Sequence, residues 1–163
     1  MKIRTADLAD LSAIYKIECE NFSPAEAMSR ELLSRHIEVL SRTFLVAEKD
    51  GQILGFLEGP VRPDRFLQDG SFTMEIEDYS HLSGGYISIT SLSVARTAQG
   101  MGVGQALLTA MKKIAISEKR LGINLTCHDY LIDYYEKQGF VNHGLSQSNY
   151  ADEVWYDMLW ETL

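Results

Sequence analysis

The sequence predicts an α+β fold with a largely antiparallel sheet, and three observations support this class. Short apolar runs of strand length recur along the 163 residues. Four other segments place apolar residues at helical spacing. Asp50-Gly51 joins two of the strand runs by a tight turn, which is the short-range signature of a β-hairpin. No segment repeats or has low complexity, so a single domain over residues 1–163 is expected.

The first half of the chain is predicted to hold one short strand, two helices and the hairpin. Asp7 is a plausible N-cap for the first helix. Ser23-Pro24 interrupts the helical spacing and separates the first helix from the second. The predicted elements are, in order, a strand at 2–5, a helix from about 8 to 22, a helix at about 25–40, and strands at 43–49 and 52–58.

The second half opens with a polar and aromatic stretch from Pro60 to about Gly85, which is too long for an ordinary connection. Its aromatic content favours a partly ordered loop that covers a binding site. Gly139 is typical of the residue just beyond a helix. The remaining predicted elements are a strand at 86–94, a helix at 101 to about 119, a strand at 124–127, a helix at 131–138, a strand from 140 and a strand at about 154–160.

Composition narrows the environment and the partners. The net charge of −8 disfavours binding to nucleic acid and to anionic membranes. It is compatible with a cationic or neutral small molecule as substrate, and the alternative is that it serves solubility alone. The two cysteines, Cys19 and Cys127, have no metal-ligand spacing, and no metal is expected. With neither a signal segment nor a membrane span in view, we expect reduced thiols and a cytoplasmic protein. His36 and His143 have no partner pattern and are expected at the surface.

A glycine-rich turn follows the strand at 86–94 and opens the next helix. Glycines at 100, 102 and 104 keep Cβ atoms away from a ligand, and the first helical turn offers unpaired N–H groups to an anion such as pyrophosphate. Gln105 after Gly104 excludes a Walker A loop, which needs Gly-Lys-Ser/Thr there. The glycine spacing also fits a Rossmann fingerprint poorly.

Three segments resemble motifs of the Gcn5-related N-acetyltransferase (GNAT) superfamily. Gln99-x-x-Gly102-x-Gly104 is similar to its acetyl-CoA motif. Tyr135 ahead of Gly139-Phe140 resembles its second diagnostic segment, and Ile3-Arg4 followed by Ala6 and Asp10 resembles its opening. The resemblance implies a mixed, mostly antiparallel sheet of six or seven strands flanked by about four helices. The coenzyme would lie in the splay between the central strands.

Within that superfamily the chain most resembles the serotonin (arylalkylamine) N-acetyltransferase branch. The likeness rests on four segments: 51–59, 64–68, 83–85 and 127–135. It implies an acetyl group transferred from acetyl-CoA to a small primary amine, an arylalkylamine or a polyamine. The sequence departs from the branch at Ser88 and Thr90, where the branch carries two histidines.

The resemblance also assigns the coenzyme contacts. Backbone groups of Leu92, Ser93 and Val94 would pair with the pantetheine arm, as a neighbouring strand would. The turn would hold the pyrophosphate through Gln99, Gly100, Met101, Gly102, Val103, Gly104 and Gln105.

The expected chemistry is direct attack of an amine on the thioester carbonyl. The resemblance places Tyr135 as the general acid for the departing thiolate, although a helix tyrosine can also be ordinary core. The N–H of Leu92 would stabilise the oxyanion. The base stays open: Ser88 and Thr90 cannot deprotonate an ammonium but could order waters, and Glu58, His128 and Asp129 are the ionisable candidates.

The amine pocket is expected at the corner between the first two helices and along the long loop. Its predicted residues are Phe22, Ser23, Pro24, Glu26 and Glu58, with Phe66, Phe72 and Tyr86 as an aromatic wall or as ordinary core. Two other functions fit the same motifs. One is an acyl-CoA sensor or interaction module without chemistry, and the other is acetylation of a peptide N-terminus or a lysine. A homodimer is also possible.

Overall fold

The computed structural model describes residues 1–162, which contain nine strands and four helices. The strands are β1 (Lys2–Thr5), β2 (Phe44–Lys49), β3 (Gln52–Glu58), β4 (Val61–Arg62), β5 (Tyr86–Ser88), β6 (Ser91–Val94), β7 (Gly122–Cys127), β8 (Val141–Leu145) and β9 (Tyr156–Glu161). The helices are α1 (Leu11–Asn21), α2 (Arg30–Val39), α3 (Val103–Ser117) and α4 (Ile132–Lys137). Within residues 1–162, no helix has both the length and the apolar character needed to cross a bilayer.

The strands form two sheets, in the orders β1-β2-β3-β6 and β4-β5-β7-β9-β8. Only β5 and β7 pair in parallel, and all other pairs are antiparallel. The mixed, mostly antiparallel α+β fold with four helices is therefore confirmed.

The strand predicted at 86–94 is divided between the two sheets. The Ile89 N–H donates to the carbonyl of Asn124, whereas the Thr90 N–H donates to the carbonyl of Glu58, both at 2.9 Å. The chain changes sheets between these two residues. A Cβ atom at Gly59 would overlap the Ser88 carbonyl, so glycine allows the backbones to meet closely at this crossing. The separation of β6 from β7 opens a splay in the molecule.

Two apolar clusters hold the layers together. On one side, α3 buries Leu107, Leu108 and Met111 against residues of both sheets. On the other side, α1 and α2 pack on the first sheet around Leu33 and Phe56. Each amphipathic helix buries its apolar stripe against a sheet face, and this burial drives the assembly.

Several predicted helix boundaries were wrong for local reasons. Helix α2 begins at Arg30 rather than near residue 25, because the Ser29 side chain caps it by accepting the Leu32 N–H at 3.0 Å. Helix α3 begins at Val103 rather than Met101, because Gly102 has φ 78°. A 3-10 turn occupies residues 129–131, so α4 is shorter than predicted.

The long stretch from residue 60 to residue 85 is ordered by a buried arginine. The Arg120 guanidinium donates to the carbonyls of Ser80, Leu82 and Gly84 at 2.8, 2.6 and 2.9 Å. One guanidinium thus satisfies three carbonyls of a segment that has little regular structure of its own. The segment is held against the second sheet.

Candidate functional site

A cavity of about 780 Å³ occupies the splay between β6 and β7. Its walls come from α1, β6, the glycine-rich turn, the start of α3, β7, α4 and the loop between β8 and β9. Divergence of two neighbouring strands exposes backbone groups that a continuous sheet would pair, so the cavity has a polar backbone wall as well as apolar side chains.

Strand β6 presents one unpaired edge to this cavity. It is the last strand of the first sheet, and Ser93 pairs with Phe56 of β3. Since antiparallel pairing alternates along a strand, Leu92 and Val94 direct their peptide groups away from β3. Asn21 Nδ2 already donates to the Val94 carbonyl at 2.8 Å, so the peptide groups of this edge that face the cavity are those of Leu92 and the Val94 N–H.

The glycine-rich turn lies at the end of β6 and opens α3. Gly100 and Gly102 have φ of 81° and 78°, a left-handed conformation that favours glycine, and a Cβ atom at either would meet nothing within 4 Å. No side chain caps α3 at Gly102. The first N–H groups of this 15-residue helix therefore have neither intrahelical nor side-chain partners, which suits an anion such as a pyrophosphate.

Two adjacent tyrosines of α4 reach the same cavity at different places. A methyl group at Gly104 would overlap the Tyr134 hydroxyl, so this phenol lies over the first turn of α3. Tyr135 is buried beside Cys127 and packs edge-to-face on Phe140, with ring centroids 5.8 Å apart. Burial strongly raises the pKa of the Tyr135 phenol, so this group keeps its proton.

The structure separates the two residues that stand where the resembling branch has histidines. Thr90 lines the cavity and donates to Glu58 Oε1 at 2.5 Å, whereas buried Ser88 lies outside the cavity lining, with no hydrogen-bond partner for its hydroxyl. Glu58 Oε2 lies 2.5 Å from His36 Nδ1, and both of these side chains are fully buried. Glu58 thus reaches the cavity through the Thr90 hydroxyl.

The expectation that His36 lies at the surface was wrong. His36 is on the face of α2 that packs toward the first sheet, where it meets the buried carboxylate of Glu58. A buried carboxylate needs such a polar partner, and the sequence gives no sign of a pairing across 22 residues. His143 is exposed, as predicted.

Glu18 is a cavity residue that the sequence analysis missed. Its carboxylate accepts the Met28 N–H at 2.8 Å and the Ser91 hydroxyl at 2.6 Å, and it is 1% exposed. Burial raises its pKa to about 7. The available signal was its position four residues after Ile14, on the stripe of α1 that faces the core.

Five neighbouring rings, three pairs of them stacked and one pair tilted, form an aromatic wall at one end of the cavity. The wall runs through Tyr130, His128, Trp155, Tyr150 and Phe72, with successive centroid distances of 5.4, 4.3, 6.3 and 4.3 Å. His128 Nε2 also lies 3.3 Å from the Glu26 carboxylate, which lines the cavity too. The wall combines apolar ring faces with a nearby negative charge.

Only part of the predicted amine pocket lines the cavity. Phe22, Glu26 and Phe72 do so. Phe66 instead packs on His143 with centroids 5.3 Å apart, and the Tyr86 hydroxyl donates to Glu161 at 3.0 Å. The predicted pocket residues Ser23, Pro24 and Glu58 also lie outside the cavity lining, as does the base candidate Asp129. In the part of the chain that the structure describes, no three His, Cys, Asp or Glu side chains are grouped to hold a metal ion.

Comparison with known proteins agrees with this architecture. The chain belongs to the acetyltransferase (GNAT) family, whose model matches residues 11–140. The chain matches no curated protein at a significant level. Its fold is similar to that of Ard1 from Thermoplasma volcanium, with 23% identity over 99% of this chain and 97% of that chain and a TM-score of 0.73.

Two further structures show the breadth of the similarity. The ribosomal-protein-alanine N-acetyltransferase from Brucella melitensis has 23% identity over 99% of this chain and 100% of that chain, with a TM-score of 0.72. The GphF GNAT-like decarboxylase, in complex with isobutyryl-CoA, has 18% identity over 99% of both chains and a TM-score of 0.79. Identities this low establish a common fold and leave the acceptor undefined.

Proposed function

We propose that the protein transfers the acetyl group of acetyl-CoA to a primary amine of a small molecule. The observation that carries this proposal is one continuous cavity. It joins the open helix N-terminus at Gly102, the unpaired edge of β6 at Leu92 and the buried phenol of Tyr135. A thioester coenzyme requires an extended track, an anion site and a proton donor, and one cavity brings the three together.

The chain's own groups fit acetyl-CoA as cosubstrate. Open space over Gly100 and Gly102 and the free N–H groups of α3 would receive the pyrophosphate. Backbone groups of Leu92 and Val94 would align the pantetheine arm. Ser93, predicted with them, lines the cavity but directs its peptide groups toward β3. The cavity-lining residues Gln99, Val103, Gly104 and Gln105 complete the proposed coenzyme site, whereas Met101, predicted with them, is exposed and lies outside the cavity lining.

The proposed reaction is a direct transfer. The acceptor nitrogen forms a bond to the thioester carbonyl carbon, and the Leu92 N–H stabilises the resulting oxyanion. The nitrogen's proton passes to the Thr90 hydroxyl while the Thr90 proton moves to Glu58, which His36 supports from behind. As the carbon–sulfur bond breaks, Tyr135 donates its proton to the thiolate. Ser88 has no part in this route.

The acceptor end of the cavity is closed, which favours a small molecule over a peptide. Phe72 of the long segment stacks on Tyr150 of the loop between β8 and β9, and Ser148 of that loop donates to Asp69. The Tyr150 hydroxyl donates to the Glu26 carbonyl at 3.1 Å. Three segments therefore meet where an extended peptide would have to leave the site.

The resemblance to the arylalkylamine branch supports an arylalkylamine or a polyamine as the acceptor, and the aromatic wall suits either. We also propose the cytoplasm as the compartment, which agrees with the two free thiols at Cys19 and Cys127. We also propose that the protein forms a homodimer, and light scattering tests this directly.

The test supplies acetyl-CoA with a panel of arylalkylamines, polyamines, amino acids and short peptides and follows the release of free thiol. We expect turnover with small amines and none with peptides. Binding of acetyl-CoA without turnover of any acceptor would favour a sensor. Turnover confined to peptides would favour N-terminal or lysine acetylation; the Brucella melitensis protein is named as a ribosomal-protein-alanine N-acetyltransferase.

A further inference from the structure

Within residues 1–162, the formally charged side chains that line the cavity, leaving His128 aside, are acidic. Among the residues from 1 to 162 that line it, Glu18 and Glu26 are carboxylates, and neither lysine nor arginine is present. A cationic acceptor is therefore complemented by the walls. An acceptor that brings its own carboxylate would place like charges together in a partly desolvated space, which is costly.

The two carboxylates are fixed at different places. Glu18 is tied to β6 through the Ser91 hydroxyl, one residue from Thr90 and close to the proposed reaction centre. Glu26 lies beside the aromatic wall, against His128. A single ammonium can lie beside only one of these two carboxylates.

The wall itself is suited to a cation. Burial is the largest cause that raises the pKa of the Tyr150 phenol, and the negative charges of Glu18, Glu26 and Asp69 raise it further. Burial likewise raises the pKa of the Tyr130 phenol, and the negative charges of Glu26, Asp129 and Glu153 add to this rise. Negative electrostatic potential thus extends along the aromatic wall, and the faces of its rings also attract cations.

Building on the proposed function, we propose that the acceptor is a diamine or polyamine without a carboxylate. One amino group reacts beside Thr90 and Glu18. The second stays protonated and is held by the aromatic wall and Glu26. The reacting amino group first releases its ammonium proton to solvent and attacks as the neutral amine. It then loses one proton to the route through Glu58 and gains the acetyl group, the coenzyme leaves as the thiol protonated by Tyr135, and the distal group keeps its charge throughout the transfer.

Matched acceptors test the second positive charge. Thiol release is measured at subsaturating acceptor for butylamine, 1,4-diaminobutane, 1,5-diaminopentane, spermidine, ornithine and phenethylamine. We expect kcat/KM for the best diamine or polyamine to exceed that for butylamine and phenethylamine by about tenfold or more, since the distal cation gains a charged and a ring contact. Ornithine, which adds only a carboxylate to 1,4-diaminobutane, should fall below that diamine by about 100-fold.

A variant pair tests the residue that reads the distal charge. Glu26→Gln should reduce the ratio of diamine to butylamine kcat/KM to about threefold or less, because the charged partner of the distal ammonium is lost. Glu136→Gln makes the same change of net charge on an exposed site outside the cavity and should keep the full ratio. Melting temperatures of both variants verify that they fold.

The possible failures are distinguishable. Turnover of butylamine or phenethylamine as efficient as that of every diamine, or an unchanged ratio in Glu26→Gln, would overturn the diamine inference and leave the acetyltransferase proposal standing. Release of thiol with none of the amines, amino acids or peptides, while acetyl-CoA still binds, would overturn both.

Discussion

Glu18 illustrates how a single residue links stability to the site. Its carboxylate is buried beside the cavity, bonded to Met28 and Ser91, and burial raises its pKa from an ordinary 4.5 to about 7. The folded state therefore holds this proton more tightly than the unfolded chain does. Its contribution to stability is fully present below about pH 4.5 and is lost as the pH rises toward about 7.

Substitution of Glu18 should reveal this linkage. Between about pH 5 and about pH 8 we expect the unfolding free energy of the wild type to fall by roughly 2 to 3 kcal/mol relative to that of Glu18→Gln. Urea unfolding of both proteins across that range measures the difference, in which the other titrating groups cancel. Glu136→Gln, a fully solvated site, should show no such trend. A pH-independent difference for Glu18→Gln would mean that its pKa is ordinary.

The two neighbouring tyrosines allow a test that removes one oxygen at a time. Tyr135→Phe should lower kcat by about 100-fold, because the proposed proton donor is lost, and leave the affinity for acetyl-CoA unchanged. Tyr134→Phe should spare kcat, because the Tyr134 hydroxyl lies over α3 rather than in the buried end of the cavity. Steady-state rates and isothermal titration of both variants give the comparison. The reverse pattern would assign the donor to Tyr134.

At the scale of elements, the strand, turn and helix from residue 91 to residue 117 form the proposed coenzyme half of the site. The strand ends at Val94, and the backbone then turns through two left-handed glycines into α3. This arrangement needs no distant side chain, because the donors are backbone N–H groups and the turn geometry is local. Because the backbone at Gly102 is left-handed, a residue with a Cβ atom at this position would be strained.

Gly102→Glu should abolish stabilisation by acetyl-CoA, because it adds bulk and a negative charge at the proposed pyrophosphate site. The wild type should gain about 5 to 10 °C in Tm at a concentration near 100 times Kd. Gly51→Glu is the matched control: it also has a positive φ, of 79°, with open space around its Cβ position, but it lies in the hairpin turn. Gly51→Glu should keep the shift. A shift retained by Gly102→Glu would place the phosphate elsewhere.

At the scale of the whole molecule, residues far apart in the chain enclose the proposed acceptor end of the cavity. The segment that Arg120 fixes against the second sheet brings Phe72 onto Tyr150, and the loop carrying Tyr150 contacts the connection between α1 and α2 at Glu26. The closure depends on both sheets being in their final positions. Substitutions in one of these segments should therefore change the affinity for the acceptor rather than the affinity for the coenzyme.

Phe72→Ala should raise KM for the amine by about fivefold to tenfold, because it removes one end of the aromatic wall, and leave coenzyme affinity intact. Phe66→Ala provides the control within the same segment, since Phe66 packs on His143 outside the cavity. Kinetics at saturating acetyl-CoA separate the two variants. Equal KM increases in both would mean that the segment acts through its general order and not through the wall.

Prediction from sequence succeeded where the signal is local. The β2–β3 hairpin follows from Asp50-Gly51, and the order of helices and strands follows from apolar periodicity. It failed at the start of α2, where the spacing of apolar residues continues but Ser29 caps the helix later. It also failed to divide residues 86–94, since both halves have the same apolar composition and only their pairing partners differ.

The sequence by itself determined the α+β class, the hairpin and the glycine-rich turn that opens α3, because each depends on periodicity or on residues adjacent in the chain. Only the tertiary structure decided the link from Thr90 through Glu58 to His36, the burial of Glu18 and the aromatic wall from Tyr130 to Phe72. These depend on side chains that are tens of residues apart and meet only when the helices bury their apolar faces and the two sheets separate around the cavity.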